Sequence, residues 1–226
     1  MILTNRLFTR NAPTRDALSI YIFCEGAKRE VKYFEYFKEL DSRINIEIYR
    51  LKHHEDNSPL GLYNIAVKCL VKSDDNPNPK YELIDNDEIW IVLDTDRDIS
   101  DSRASQITEL RKNCKSNSWS VAQSNPCFEV WLYYHFFNTV PSLEEIEKCS
   151  SWKQYLNKET KSGFDSRRHP ILIGDAISNS KKNHSGNNDI PAIGTTDVHR
   201  LAENIYSLVK LQIDEIRKTL NLSANM

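Results

Sequence analysis

Two short apolar runs that each stop at an acidic residue constrain this chain more than any other feature. Residues 18–34 read Leu-Ser-Ile-Tyr-Ile-Phe-Cys-Glu-Gly-Ala-Lys-Arg-Glu-Val-Lys-Tyr-Phe: an apolar run over 19–24, then Glu25-Gly26, then helix-like spacing. Residues 88–93 form the second run, which ends in Asp94-Thr95-Asp96-Arg97-Asp98. An apolar run of this length bounded by turn residues is a buried strand. In open α/β sheets, ligands collect at the carboxyl ends of the strands. Both runs therefore deliver acid where such a fold places its chemistry.

The intervening pattern agrees. Val31, Phe34, Phe37 and Leu40 recur every three residues and predict a helix over 30–40. Residues 44–50 alternate Ile with polar residues and predict a strand. Leu62, Ile65, Ala66, Cys69 and Leu70 predict a helix over 60–71. Residues 73–80, with two Asp, two Asn and two Pro, are a break. A helix over 105–114, a short strand over 119–123 and a helix over 126–137 follow. This alternation predicts an α/β fold: a mostly parallel, Rossmann-like sheet flanked by helices. After Val140 the pattern changes to helices over 142–156 and 201–222, with polar loops over 158–168 and 183–196. The predicted organisation is a polar arm over 1–16, an α/β core over 17–140, and a helical region over 141–226 that completes the same domain. Arg6, Arg10 and Arg15 of the arm are either solvated or phosphate contacts.

Composition excludes some classes. The 226 residues carry a formal charge of -2, so no global basic field advertises nucleic acid, although a local patch suffices to bind it. No apolar run is long enough to cross a membrane, and residues 1–10 lack the core of a signal peptide. The cysteines, Cys24, Cys69, Cys114, Cys127 and Cys149, form no CxxC pair. An odd, scattered set points to the reducing cytoplasm. The six glycines form no Walker or GxGxxG pattern, which argues against a nucleotide-binding phosphotransfer enzyme.

Mg²⁺ and Mn²⁺ prefer oxygen ligands, usually a few carboxylates with water and phosphate. Asp94 and Asp96, two apart in an extended segment, point the same way, and Asp98 continues that face. Glu25 comes from a neighbouring strand end, and Glu30 lies about one turn into the next helix. Like carboxylates so placed repel one another unless a cation joins them. The competing reading is a polar turn with an N-cap.

Three segments carry a resemblance. A strand ending in Glu-Gly, then a helix, then a strand ending in Asp-x-Asp resembles the Toprim fold of topoisomerases, primases and overcoming-lysogenization-defect nucleases. Cys24-Glu25-Gly26-Ala27-Lys28-Arg29-Glu30 with Tyr33-Phe34 resembles the opening motif of the RloB-like family. Ser124-Asn125-Pro126-Cys127-Phe128-Glu129, with Trp131 and His135, resembles its central motif, and Gly194-Thr195-Thr196-Asp197-Val198 its closing one. Arg29 departs from that pattern, which has Thr there. The resemblance spans residues 21–208.

The resemblance implies a Toprim-like core, a metal-dependent nuclease acting on DNA or RNA in bacterial anti-phage defence, and an ABC-type or AAA-like ATPase partner. Assembly with further copies of the chain stays open. By the Toprim pattern Asp94 and Asp96 hold Mg²⁺ or Mn²⁺, Glu25 is the general acid/base or a further ligand, and Glu30 or Glu129 holds any second ion. Lys28, Arg29, Arg97 and Asn125 are the phosphate or nucleic-acid candidates. The alternative is a non-catalytic Toprim-like module that binds nucleic acid or the ATPase.

Several readings remain paired. Glu129 is a site carboxylate or a capping-box partner for Ser124 or Asn125. Asn125 caps the helix or touches phosphate. His135 packs in the core or acts as a base. Residues 53–56, His-His-Glu-Asp, lack zinc spacing and read as a solvated loop. Lys181-Lys182 are a solvated charge pair or, as the resemblance to overcoming-lysogenization-defect nucleases implies, supply a lysine to the scissile phosphate; Arg167-Arg168-His169 steers nucleic acid or docks a partner.

Overall fold

The computed structural model describes residues 10–96, 100–161, 163–187 and 190–220. Arg6, Arg97 and Asp98 lie outside the described residues. A five-stranded sheet forms the centre, in the order β2 (Ile44–Tyr49), β1 (Leu18–Cys24), β3 (Glu88–Asp94), β4 (Ser120–Asn125), β7 (Thr195–Thr196). The first four strands are parallel, and β7 runs antiparallel to β4.

Strand alternation divides the core in two. Ile20, Ile22 and Cys24 of β1 and Trp90 and Val92 of β3 enter one cluster. It also takes in α1 (Arg29–Phe34), α4 (Glu129–Tyr133), α7 (Ile173–Asn183) and α8 (Val198–Thr219). Tyr21, Phe23, Ile89, Ile91 and Leu93 point the other way, against α2 (Pro59–Leu70) and α3 (Asp101–Ser116). Even residues face one layer and odd residues the other, as the pleat dictates. This is why both strands read as unbroken apolar runs.

Local chemistry sets the helix starts. Gly61 N–H donates to the Ser58 hydroxyl at the head of α2 over 3.1 Å, with Pro59 following the cap. Arg103 N–H donates likewise to Ser100 at the head of α3. Helix α1 is shorter than its periodicity predicts. It passes into a 3₁₀ turn over Glu35–Phe37, and Glu39 then turns left-handed at φ 61°, a conformation that ends a helix.

The C-terminal region departs furthest from the sequence reading. The helix expected over 142–156 is two short ones, α5 (Leu143–Glu147) and α6 (Trp152–Glu159). The loop expected over 183–196 contains a small hairpin, β5 (Gly186–Asn187) with β6 (Ile190–Pro191), and the edge strand β7. Two-residue strands are too short to show a period. Helix α8 buries Val198, Leu201, Ala202, Ile205, Val209, Ile213 and Ile216, the stripe expected of an amphipathic helix.

The N-terminal stretch is tethered where described: Asn11 N–H donates to Glu39 O, and Thr14 N–H to Ser42 O. No helix among the described residues is long and apolar enough to cross a membrane. All five cysteines are free thiols.

Candidate acidic centre

Strand order places the acids. From β1 the chain passes to β2 on one side, and β3 lies on the other, so the direction of winding reverses between β1 and β3. That boundary is the topological switch point, where a crevice opens at the carboxyl ends. Cys24 pairs in register with Val92, so Glu25 and Asp94 emerge side by side. Glu25 N–H donates to Val92 O over 3.0 Å, and Asp94 N–H donates to Glu25 Oε2 over 3.1 Å.

The Asp94–Asp96 turn is built around Thr95. Its N–H and hydroxyl both donate to Ser124 O, and its hydroxyl accepts from Gln123 Nε2 over 2.7 Å. Thr95 is therefore locked inward. Asp96 adopts a left-handed φ of 67°, which Asp tolerates better than most residues, and its N–H donates to Pro126 O. The carboxylate of Asp96 is left exposed.

Arg103, in the first turn of α3, ties the acids together. Its Nη2 donates to both carboxylate oxygens of Glu25 at 2.9 Å and to Asp94 O at 2.7 Å. Its Nε lies 2.9 Å from Asp96 Oδ2 but is not aimed at it, so this is a charge contact rather than a hydrogen bond. Sequence reasoning missed Arg103. The signal was available: a cation in a first helical turn opposes the helix macrodipole, so an acidic neighbour should hold it there.

Glu30 projects from α1 into the same space. It is buried, and a Cβ on Gly26 would overlap its carboxyl group. Burial, and then repulsion from Glu25, push the Glu30 carboxyl above its ordinary range. Burial holds Asp94 well above the usual carboxylate range, with Glu30, Glu25 and Asp96 adding to the effect and Arg103 opposing it. One guanidinium does not neutralise this cluster.

The other candidates are placed differently. Glu129 opens α4 and pairs with Arg29. Arg29 is thereby spent on a carboxylate, whereas Lys28 is exposed. Helix α4 is shorter than the predicted 126–137 and has no side-chain cap. The capping reading of Asn125 and Ser124 is corrected: both are drawn to the C-terminal region. Asn125 Nδ2 donates to Pro191 O over 2.8 Å, and Ser124 Oγ lies 2.8 Å from Thr196 Oγ1. The central and closing motifs thus meet along β4 and β7. His135 is packed between Tyr33, Trp131 and Phe164, and burial lowers its pKa to about 3. In the loop over 53–56, Glu55 accepts from Tyr49 and from Lys52 N–H. Lys181 pairs with Glu203, and Arg167 with Asp165.

The donor chemistry suits a hard cation: oxygen acids only, crowded enough to resist joint ionisation. The placement of the side chains does not. Among the described residues no three His, Cys, Asp or Glu side chains converge as an ion requires.

Together these observations define an α/β protein with an acidic centre at the switch point of a mostly parallel sheet. The chain belongs to the RloB-like protein family, whose sequence profile matches residues 20–205. No curated protein and no solved structure matches it significantly.

Proposed function

We propose that this chain is a divalent-metal-dependent nuclease of the Toprim type that hydrolyses phosphodiester bonds of DNA or RNA. In this reading it is the effector of a bacterial anti-phage system and works beside an ABC-type or AAA-like ATPase. The observation that carries the chemistry is the crowding of Glu25, Glu30 and Asp96 around Asp94, close enough to raise its pKa, with Asp94 and Glu30 both held above their ordinary range. Buried acids with perturbed ionisation gather at functional sites. The defence role and the ATPase rest on family membership alone.

Asp94, Asp96 and Glu25 are the residues that would hold Mg²⁺ or Mn²⁺ once Arg103 withdraws. A bound ion supplies positive charge against the phosphodiester oxygens. Glu25, in contact with both the Asp94 N–H and Arg103, would in this reading move a proton at the scissile bond or serve as a further ligand. Lys28 is an exposed cation close in sequence to Glu25 and Glu30 and is suited to steering phosphate.

One observation favours a second reading, a non-catalytic module that binds nucleic acid or the ATPase: Arg103 already compensates Glu25 and Asp96. Labelled DNA and RNA, incubated with the chain and its genomic neighbour in Mg²⁺, Mn²⁺ or EDTA, separate the two. Cleavage that needs metal and falls at least ~100-fold in Glu25→Ala and Asp94→Ala supports the nuclease. Cleavage unchanged in both folded variants rules out this centre.

A further inference from the structure

We propose that Arg103 is an internal cation that occupies the place of a divalent ion between Glu25 and Asp96, so that metal enters only when the guanidinium leaves. The inference rests on the metal-centre reading above and specifies how that centre is controlled.

Two observations and the repulsion of like charges carry it. One guanidinium nitrogen spans both Glu25 oxygens and the Asp94 carbonyl, and Nε lies against Asp96. These are oxygens of the same residues a hard cation would take. In this arrangement no three His, Cys, Asp or Glu side chains among the described residues form a group that could hold an ion. A divalent ion and a guanidinium sharing the same oxygens repel each other, so the two states are exclusive.

The moving part is also defined. The Arg103 backbone is fixed by the Ser100 cap, whereas its charged end is held by acids and one carbonyl. The macrodipole of α3 disfavours a cation at that end, so the acids rather than the helix retain it. Once an ion satisfies those acids, nothing in the helix keeps the side chain there. Arg103 then sets a threshold: weak metal binding at rest, tighter binding when substrate or partner draws the guanidinium away.

The test is Mn²⁺ binding by the purified full chain, followed by calorimetry and by the loss of the free-ion electron paramagnetic signal. Arg103→Gln is expected to bind Mn²⁺ at least ~10-fold more tightly than the parent. Arg103→Lys, which keeps the charge but loses the fork, is expected to fall between. It also serves if Arg103→Gln fails to fold. In the unmodified chain, the Arg103 Nε–H resonance is expected to shift as Mg²⁺ is added. Parent binding as tight as both variants, or an Arg103 signal that ignores bound Mg²⁺, overturns the exclusion while leaving the metal centre standing. Binding by neither parent nor variants overturns the metal centre itself, and the exclusion with it.

Discussion

Arg111 of α3 and Asp197 at the head of α8, 86 residues apart, are joined by a guanidinium–carboxylate hydrogen bond of 3.2 Å. The same guanidinium donates to Gln123 Oε1 at 2.8 Å, and Gln123 donates onward to Thr95. Thr95 stands between Asp94 and Asp96, so the closing motif is connected to the acidic turn through one chain of hydrogen bonds.

That chain predicts unequal costs. Asp197 is almost fully buried, and its loss leaves Arg111 with an uncompensated charge. Asp197→Ala should lower unfolding free energy by about 3 kcal/mol. Arg200 also faces Asp197, but from solvent at 3.7 Å, and Arg200→Ala should cost no more than about 0.5 kcal/mol. Urea unfolding of both variants measures the contrast.

His135 gives the fold an acid limit. The Trp131 carbonyl cannot donate, so His135 Nδ1 carries the proton and Nε2 accepts from the Tyr33 hydroxyl, 3.1 Å away. Burial depresses its pKa from 6.5 to about 3. The stability this neutral ring contributes is present above pH 6.5 and is lost as pH falls towards 3, by about 1.4 kcal/mol per unit. His135→Phe should flatten the acid limb of a stability–pH curve. At pH 7 it should cost about 1–3 kcal/mol, because the Tyr33 hydroxyl loses its partner.

Much of this architecture was legible in the sequence because burial leaves periods. The runs ending at Glu25 and Asp94 have no polar face, and a strand covered on both sides needs none. The apolar spacing along α2 and α8 likewise reports helices with one covered face. What escaped was set by contacts distant in sequence. Ser124 and Asn125 look like caps, yet their side chains go to Thr196 and Pro191, about 70 residues away. Arg103 looks like any helical arginine until the sheet brings Glu25, 78 residues upstream, against it. The segment 183–196 looks like a loop because its strands are two residues long.

Asp94 should trade stability for chemistry. Its folded pKa lies above the unfolded value, so the protein is stabilised relative to neutral pH when the carboxyl is protonated. That advantage is complete below about pH 4 and fades as pH rises through the folded pKa. In EDTA at pH 8, Asp94→Asn should unfold at a higher temperature than the parent, because it removes the cost of the buried charge. At pH 3 the two should coincide. The same variant should lose metal-dependent hydrolysis, so a thermal scan and a cleavage assay on one preparation check both halves.

Gly26 tests whether Glu30 is part of the centre. The space a Cβ would need at Gly26 is filled by the Glu30 carboxyl, so Gly26→Ala must push that group aside. Glu30 is the flexible partner, and the fold should survive with a loss of about 1 kcal/mol. If Glu30 helps shape the centre, displacing it should reduce hydrolysis by roughly 10²-fold, the scale expected of a misplaced group about 1 Å out of position. A double-mutant cycle separates this from general damage. Glu30→Ala and Gly26→Ala combined should be no slower than the worse single variant, because both remove the same carboxyl from the same place. Additive losses would show that Gly26 acts on the strand end by another route.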